Sequence, residues 1–229
     1  MKFITHSHRF GSEIFNEVEE LWVLWQELEL AIHSISDIDL QEHFRINYEG
    51  KSKSISQTIN ALVKDRLTKA GWTEESHLFA EKMYREQGGR WRLDFSKATE
   101  IPDTTSGVEG RKQPAGVAVE VAFNHGEAIA WNLLKPVIAG ELNHVPQETK
   151  IGAGVGVVIC ATKSLKDAGG FDGAVGEYEK ILEYLRPMRN FLTVPMVIIG
   201  LEAPESFHLA LHKEGSKSIG IIESGPLSR

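Results

Sequence analysis

A single acidic residue lies inside an apolar run in the middle of the chain. The stretch AGVAVEVAFNHGEAIAW, residues 115–131, places Glu120 among valines and alanines in a pattern typical of a strand. Strand side chains alternate between two faces, so Glu120 shares a face with Ala118 and Ala122 and points away from the valine side. Such a carboxylate either meets water or a basic partner on a half-buried strand, or it binds a cation.

Two upstream acids could act together with Glu120. Hydrolysis of a phosphodiester needs at least two oxygen ligands on a divalent ion, usually Mg²⁺, which keeps several of its waters. Asp94 lies in RWRLDF, where apolar and charged residues alternate as in a half-buried strand. Glu109 lies in VEGRK, closer to Glu120 along the chain. Both acids are candidates at this point.

The elements that would position these acids are helical in the first third of the chain. Apolar residues at three- and four-residue spacings predict an amphipathic helix over residues 12–33. A second helix is predicted within SISQTINALVKDRLTKAGW, with Gly71 just past its end, and a third over residues 74–87.

Strands and helices alternate in the rest of the chain. RWRLDF and VAVEVAF are predicted strands joined by a polar connection over residues 98–116, and a helix is predicted from an N-cap at Asn124 to about Gly140. IGAGVGVVICAT and TVPMVIIGLEA are predicted buried strands around a helix in GAVGEYEKILEYLRPMR, and SFHLALH and KSIGIIE are short terminal runs. This order indicates an α/β fold with a mixed central β-sheet flanked by helices.

Length and composition bound the remaining possibilities. The 229 residues fit a single domain, 1–229, with a mainly helical part over 1–88 and the sheet and catalytic core over 89–229. No apolar run approaches eighteen residues and the residues after Met1 lack the basic-then-apolar pattern of a secretory leader, which predicts a cytoplasmic protein without a membrane partner. The lone Cys160 lies in an apolar run and is predicted to be buried packing. The net charge of −7 argues against a generally basic surface without excluding a DNA-binding cleft.

Two short signals are better explained by structure than by chemistry. The glycines of GAGVG, residues 152–156, lack the remainder of a phosphate-binding loop and are predicted to allow close packing within a strand. The HSH at residues 6–8 has no partner cysteines and no zinc-protease spacing, so a zinc site is not predicted.

Several segments together resemble a known family. The segment LDFSK at residues 93–97 and GVAVEVAFN at 116–124 are similar to the Asp-Phe-x-Lys segment and the Glu-containing strand of type II restriction endonucleases of the BglII and BstYI kind. These enzymes belong to the PD-(D/E)XK nuclease superfamily. Two segments before these, ELWVLWQELELAIHSI and INALVKDRLTKAGWTEE, and two after them, IGAGVGVVICATKSLK and VPMVIIGLEAP, are also similar to successive segments of such enzymes. The likeness spans most of residues 3–204.

The resemblance implies a Mg²⁺-dependent endodeoxyribonuclease that acts as a homodimer on a short palindromic site in double-stranded DNA. It also implies a cognate DNA methyltransferase in the same system. Glu120 matches the strand glutamate of the family as a catalytic metal ligand. Two residues could be the acid that precedes the strand glutamate in the family. Asp94 keeps the Asp-Phe-x-Lys motif, whereas Glu109 with Lys112 precedes Glu120 at nearly the shorter spacing of the family.

Ala122 departs from the pattern of the family. The resembled enzymes carry a polar residue two positions after the strand glutamate, and a methyl group can neither bind metal nor orient water. Either a substitute acts from elsewhere, or catalysis is weak or absent and the protein binds DNA or another subunit. The candidate substitutes are Lys97, Lys112, Asn124 and His125.

Overall fold

A computed structural model describes residues 1–86, 91–123, 126–141, 151–152 and 154–227. Its strands are β1 (Phe3–His8), β2 (Thr73–His77), β3 (Arg92–Pro102), β4 (Lys112–Val121), β5 (Val155–Ala161), β6 (Met196–Leu201), β7 (Phe207–Glu214) and β8 (Lys217–Ser224). Its α-helices are α1 (Gly11–Glu17), α2 (Glu19–His33), α3 (Asp37–Asn47), α4 (Ser56–Lys69), α5 (Lys82–Arg85), α6 (Ile129–Glu141), α7 (Lys163–Ala168) and α8 (Tyr178–Leu185). A short 3₁₀ helix, Gly126–Ala128, precedes α6.

Six strands form one mixed sheet in the order β1-β6-β5-β4-β3-β2. Strands β4, β5 and β6 run parallel, whereas β1, β2 and β3 join their neighbours antiparallel. Strands β7 and β8 form a separate antiparallel hairpin. The predicted α/β fold with a mixed central sheet and flanking helices is confirmed.

Helices cover both faces of the sheet, which explains the apolar runs of β5 and β6. One face, with side chains such as Val117, Val119 and Val157, packs against α2 and α4. The other face, with side chains such as Val158 and Ile198, packs against α6 and α8. Cys160 is fully buried in this second layer, as predicted.

The first third of the chain departs from the predicted three helices. The predicted helix over 12–33 is divided into α1 and α2 at Val18, whose backbone is extended (φ −112°, ψ 106°). Helix α3 was not predicted, although Ser36 and Asp39 form a capping box at its start. The helix predicted to end before Gly71 is α4, and Gly71 has the positive φ of a helix terminator.

The helix predicted over 74–87 is wrong. Residues Thr73–His77 form β2, and within the described part of this segment only Lys82–Arg85 is helical. Strand β2 pairs antiparallel with β3, and the Ser96 hydroxyl donates to the Ser76 hydroxyl at 2.6 Å. Pairing with a distant strand therefore overrides a local helical pattern.

Two further boundaries are corrected. The polar connection predicted over 98–116 is largely strand, because β3 and β4 pair from Phe95 opposite Val119 to Pro102 opposite Lys112 and leave only 103–111 as a turn. The sheet is also not confined to residues 89–229, since β1 and β2 form its two edges. The predicted N-cap Asn124 lies outside the described residues.

Helix α6 packs closely against β5 at Gly156. A Cβ at this position would lie 2.7 Å from the Cβ of Pro136 and 2.9 Å from the Cγ of Met196. Pro136 lies inside α6, so the chain has a proline on the helix and a glycine on the strand at one contact. Gly156 therefore allows the close packing predicted for this glycine-rich segment.

The described residues contain no helix that is both long enough and apolar enough to cross a membrane.

Candidate active site

Glu120 is a buried carboxylate on the face of β4 that α6 covers. Only 1% of its surface is exposed. Its Oε2 forms an ion pair with the ammonium group of Lys135, which lies on α6. The Lys135 ammonium also donates to the backbone carbonyl of Arg92 at 3.2 Å, so it joins α6 to the start of β3 and the end of β4. The basic partner of Glu120 thus comes from a helix that begins after the strand has ended.

The structure brings Asp94 to Glu120. The register of β3 and β4 pairs Phe95 with Val119, and its continuation by one residue sets Asp94 opposite Glu120. Opposite residues of antiparallel strands lie about 5 Å apart and point to the same face. The Asp94 carboxylate is held in place because the backbone N–H of Val121 donates to its Oδ2 at 2.6 Å. Two carboxylates therefore meet at the ends of adjacent strands.

A cleft of about 190 Å³ opens beside Asp94, lined by Asn60, Lys64, Glu74, Glu75, Asp94, Phe95 and Val121. Its rim carries ion pairs between Lys64 and Glu74 at 2.6 Å and between Arg92 and Glu75 at 2.7 Å. Glu75 has a positive φ of 49°, an uncommon backbone conformation for a residue with a side chain. The acid pair is thus accessible from one side, through Asp94.

The electrostatic environment makes both carboxylates hold protons more strongly than usual. Burial, and then the neighbouring Asp94 charge, raise the pKa of Glu120 to about 8, although Lys135 opposes this shift. Burial also raises the pKa of Asp94, against the opposing effects of the Val121 N–H and Lys135. Two neighbouring carboxylates that repel each other in a buried site are typical of a cation-binding or catalytic site.

The site has a donor atom that fits a divalent cation. Glu120 Oε1 is buried and has no hydrogen-bond partner among the described residues. An unpartnered carboxylate oxygen is unfavourable in the interior, and a hard cation such as Mg²⁺ binds such oxygens while keeping several waters. The described residues form no cluster of three or more His, Cys, Asp and Glu side chains suited to a metal. Asp94 and Glu120 are therefore the pair that fits an ion with a largely aqueous coordination shell.

Glu109 and Lys112 lie far from this pair. Lys112 begins β4 and pairs with Pro102, and Glu109 belongs to the turn that joins β3 to β4. Lys112 and Glu120 are eight positions apart on β4, which is about 26 Å at the usual rise per residue. The shorter sequence spacing of Glu109 therefore does not produce proximity.

Lys97 is engaged elsewhere. Its ammonium group donates to both carboxylate oxygens of Glu27 at 2.9 and 2.6 Å and to the carbonyl of Ala70 at 2.7 Å. It pairs in register with Val117, whose side chain lies in the layer under α2 and α4. Lys97 thus links α2 to the end of α4 on the face of the sheet opposite Glu120.

Ala122 lies in an apolar environment. It is 3% exposed and packs with Ile129 and Leu133 of α6, and its N–H donates to the Ile159 carbonyl at 2.7 Å. The other two substitutes considered for it, Asn124 and His125, lie outside the described residues.

Lys135 was not among the residues that the sequence predicted for the site. It is the only charged residue in the stretch AIAWNLLKPVIAG and is 9% exposed. A single charge in the middle of a largely apolar helix was the signal that could have identified it, because lysines are rarely buried without a partner.

The comparison with solved structures defines the class of fold. A crystal structure of restriction endonuclease BglII complexed with a DNA 16-mer matches with a TM-score of 0.60 at 18% identity, covering 98% of this chain and 89% of that chain. A crystal structure of free BglII matches with a TM-score of 0.49 at 15% identity, covering 98% and 100%. The first match shows a restriction-endonuclease fold.

The sequence itself then places the chain within one family. A family model described as restriction endonuclease BglII/BglIII matches residues 3–201, so the protein belongs to this family. Its members are type II restriction endonucleases, which are phosphodiester hydrolases and typically use a divalent metal ion. The resemblance inferred from the sequence is confirmed. A comparison with curated proteins gave no match.

Proposed function

We propose that the protein is a Mg²⁺-dependent type II endonuclease that hydrolyses phosphodiester bonds of double-stranded DNA at a short palindromic site. The observation that carries this proposal is the meeting of Asp94 and Glu120 at the ends of β3 and β4, beside an open cleft. Family membership supports the reaction class, and the matched BglII structure is a complex of that protein with DNA.

In this proposal Asp94 and Glu120 hold the Mg²⁺ ion. When bound, such an ion lowers the pKa of a coordinated water and neutralises charge on the phosphate. The protein residues supply position: the Val121 N–H fixes Asp94 at 2.6 Å, and the pairing of β3 with β4 fixes the separation of the two acids. The cleft beside Asp94 is the route by which a phosphate group reaches the pair.

The partners follow from the reaction. Cutting both strands of a palindrome symmetrically calls for two active sites related by a two-fold axis, so we propose a homodimer. We also propose the cytoplasm as its location, where cellular DNA lies, and a cognate DNA methyltransferase that protects the sites of the host.

A second candidate is a DNA-binding or subunit-interaction protein on the same fold that has lost catalysis. The observation that favours it is Ala122, a buried methyl group where related enzymes carry a polar side chain. This candidate keeps DNA binding and predicts no metal-dependent cutting.

Digestion of several unmethylated plasmid and phage DNAs with Mg²⁺ or with EDTA separates the two candidates. We expect discrete fragments with Mg²⁺ and intact DNA with EDTA. The Glu120→Gln variant should bind DNA in a gel shift but not cut it, because the amide is a poor ligand for the ion. Glu177→Gln is the control, since Glu177 is a half-buried partner of Lys166 at another place. Binding without cutting by the wild-type protein supports the second candidate instead.

A further inference from the structure

We propose that Lys135 is a catalytic residue. Its ammonium group contacts and orients the attacking water, a role that the methyl group of Ala122 cannot fill. This inference rests on the proposed nuclease function. It concerns a residue of α6, whereas both acids of the site lie on β3 and β4.

Two of the three donors of the Lys135 ammonium group have partners among the described residues. An ammonium group has three N–H donors. One is directed to Glu120 Oε2 and a second to the Arg92 carbonyl at 3.2 Å, and Arg92 lies two residues before Asp94. The described residues give the third donor no partner, and we assign it to the attacking water or a phosphate oxygen at the two acids. A buried lysine held between the strands that carry both acids is placed for chemistry at their shared site.

The contacts of Glu120 show how a lysine and a metal ion can share one carboxylate. Its Oε2 contacts Lys135, while its Oε1 is buried without a partner among the described residues. Glu120 therefore offers one oxygen to the ammonium group and leaves the other for an ion. An ion held by Oε1 would bring its bound water next to the carboxylate that Lys135 contacts.

The other lysines considered for this role are excluded by position. Lys97 is held by Glu27 on the opposite face of the sheet, and Lys112 lies at the far end of the β3–β4 hairpin. Among the lysines that the structure describes, Lys135 is the one in contact with Glu120.

The reaction is a hydrolysis in which the lysine remains a cation. The water oxygen forms a bond to phosphorus and the bond from phosphorus to the leaving sugar oxygen breaks. The proton of the water passes to solvent, and the leaving sugar oxygen takes up a proton from solvent to become a hydroxyl group. Lys135 donates a hydrogen bond to the attacking oxygen, and its charge offsets the negative charge that grows on the phosphate in the transition state.

The test compares Lys135→Met with Lys166→Met. Lys166 is a matched control, because it also forms a poorly exposed ion pair with a glutamate, at 2.7 Å from Glu177. We expect Lys135→Met to lower kcat at least about 100-fold with little change in KM for DNA. Mn²⁺ binding, measured by electron paramagnetic resonance without turnover, should persist, and Lys166→Met should match the wild type in both assays.

A second variant tests whether the ammonium group itself matters. Ala122→Lys in the Lys135→Met background returns an ammonium group to the site from β4, and we expect it to recover part of the lost kcat. Recovery supports the proposal. If this variant does not fold, as judged by its melting temperature, the loss of kcat with retained Mn²⁺ and DNA binding in Lys135→Met supports it alone.

Two results overturn the proposal while leaving the nuclease function intact. One is cutting by Lys135→Met at the wild-type rate. The other is loss of Mn²⁺ binding in Lys135→Met without recovery of kcat by the added Ala122→Lys. That result would show that Lys135 only balances the charge of Glu120. A wild-type protein that cuts no DNA with Mg²⁺ overturns the nuclease function itself, and this inference with it.

Discussion

At the scale of residues, the two oxygens of Glu120 differ in their surroundings. Oε2 is paired with Lys135, and Oε1 is buried with no partner among the described residues. Asp94 has the complementary arrangement, with Oδ2 fixed by the Val121 N–H and the side chain bordering the cleft. Glu120 is thus anchored by a helix side chain and Asp94 by the backbone of β4, and Asp94 is the acid that borders the cleft.

The choice between Asp94 and Glu109 as the first metal ligand is testable at this scale. We expect Asp94→Asn to abolish cleavage and to weaken Mn²⁺ binding, because it removes one of two carboxylates at the site. Glu109→Gln should retain Mn²⁺ binding, since Glu109 lies in the turn at the other end of the hairpin. Calorimetric titration of both variants with Mn²⁺ decides the question, and weaker binding by Glu109→Gln alone contradicts the assignment.

At the scale of elements, the site depends on how α6 lies on the sheet. Strands β3 and β4 set the separation of the two acids through their register, whereas Lys135 is placed by the packing of α6 against β4 and β5. Pro136 directly follows Lys135 and contacts β5 at the point where Gly156 has no side chain. The position of Lys135 therefore depends in part on Gly156, which lets α6 approach β5 closely.

Replacement of Gly156 by alanine tests this dependence. The added methyl group would meet Pro136 at 2.7 Å and Met196 at 2.9 Å, so α6 must shift. We expect a loss of about 1–3 kcal/mol in the free energy of unfolding, measured by urea denaturation, together with slower cleavage.

Gly173→Ala is the control for this replacement. A Cβ at Gly173 has no neighbour within 4 Å, so both stability and cleavage should change little. Equal stability of the two variants contradicts the packing argument.

At the scale of the whole molecule, distant parts of the chain complete one sheet. Strand β1 closes one edge by pairing with β6, and β2 closes the other by pairing with β3. At the end of β1, the buried Nε2 of His8 lies 3.0 Å from the carbonyl of Leu192, which precedes β6. The beginning and the last third of the chain are thus joined through a buried histidine.

This histidine predicts a pH dependence of folding. Burial lowers the pKa of His8 below its usual 6.5, and the Leu192 carbonyl only partly opposes this shift. The unfolded chain therefore takes up a proton near pH 6.5 that the folded protein takes up only at lower pH. His8 contributes stability above pH 6.5 that is lost as the pH falls through its lowered pKa.

Thermal unfolding at about pH 7.5 and about pH 5.5 checks this prediction. We expect the melting temperature to fall on acidification, and to fall less in His8→Gln, which no longer has the titrating ring. His212→Gln, at an exposed position on the β7–β8 hairpin, should keep the wild-type dependence. The same slope in all three proteins contradicts the role of His8.

Sequence patterns were sufficient to predict the layers of the fold and the face of β4 on which Glu120 lies. Alternation in VAVEVAF placed Glu120 on the face away from the valines, and the apolar run around Cys160 predicted a strand buried on both faces. These predictions succeed because periodicity records which side of an element faces the core. The collinear segments were sufficient to predict the family, which the family model confirms.

The residues that contact or lie opposite Glu120, by contrast, could be identified only from the three-dimensional fold. Chain spacing favoured Glu109, but a hairpin brings residues together by register, so Asp94 lies opposite Glu120 although its separation along the chain is greater. Lys135 reaches the site through the packing of α6, and β2 is a strand because β3 pairs with it. Local periodicity carries no information about strand register or helix packing, since both depend on contacts between residues far apart in the chain.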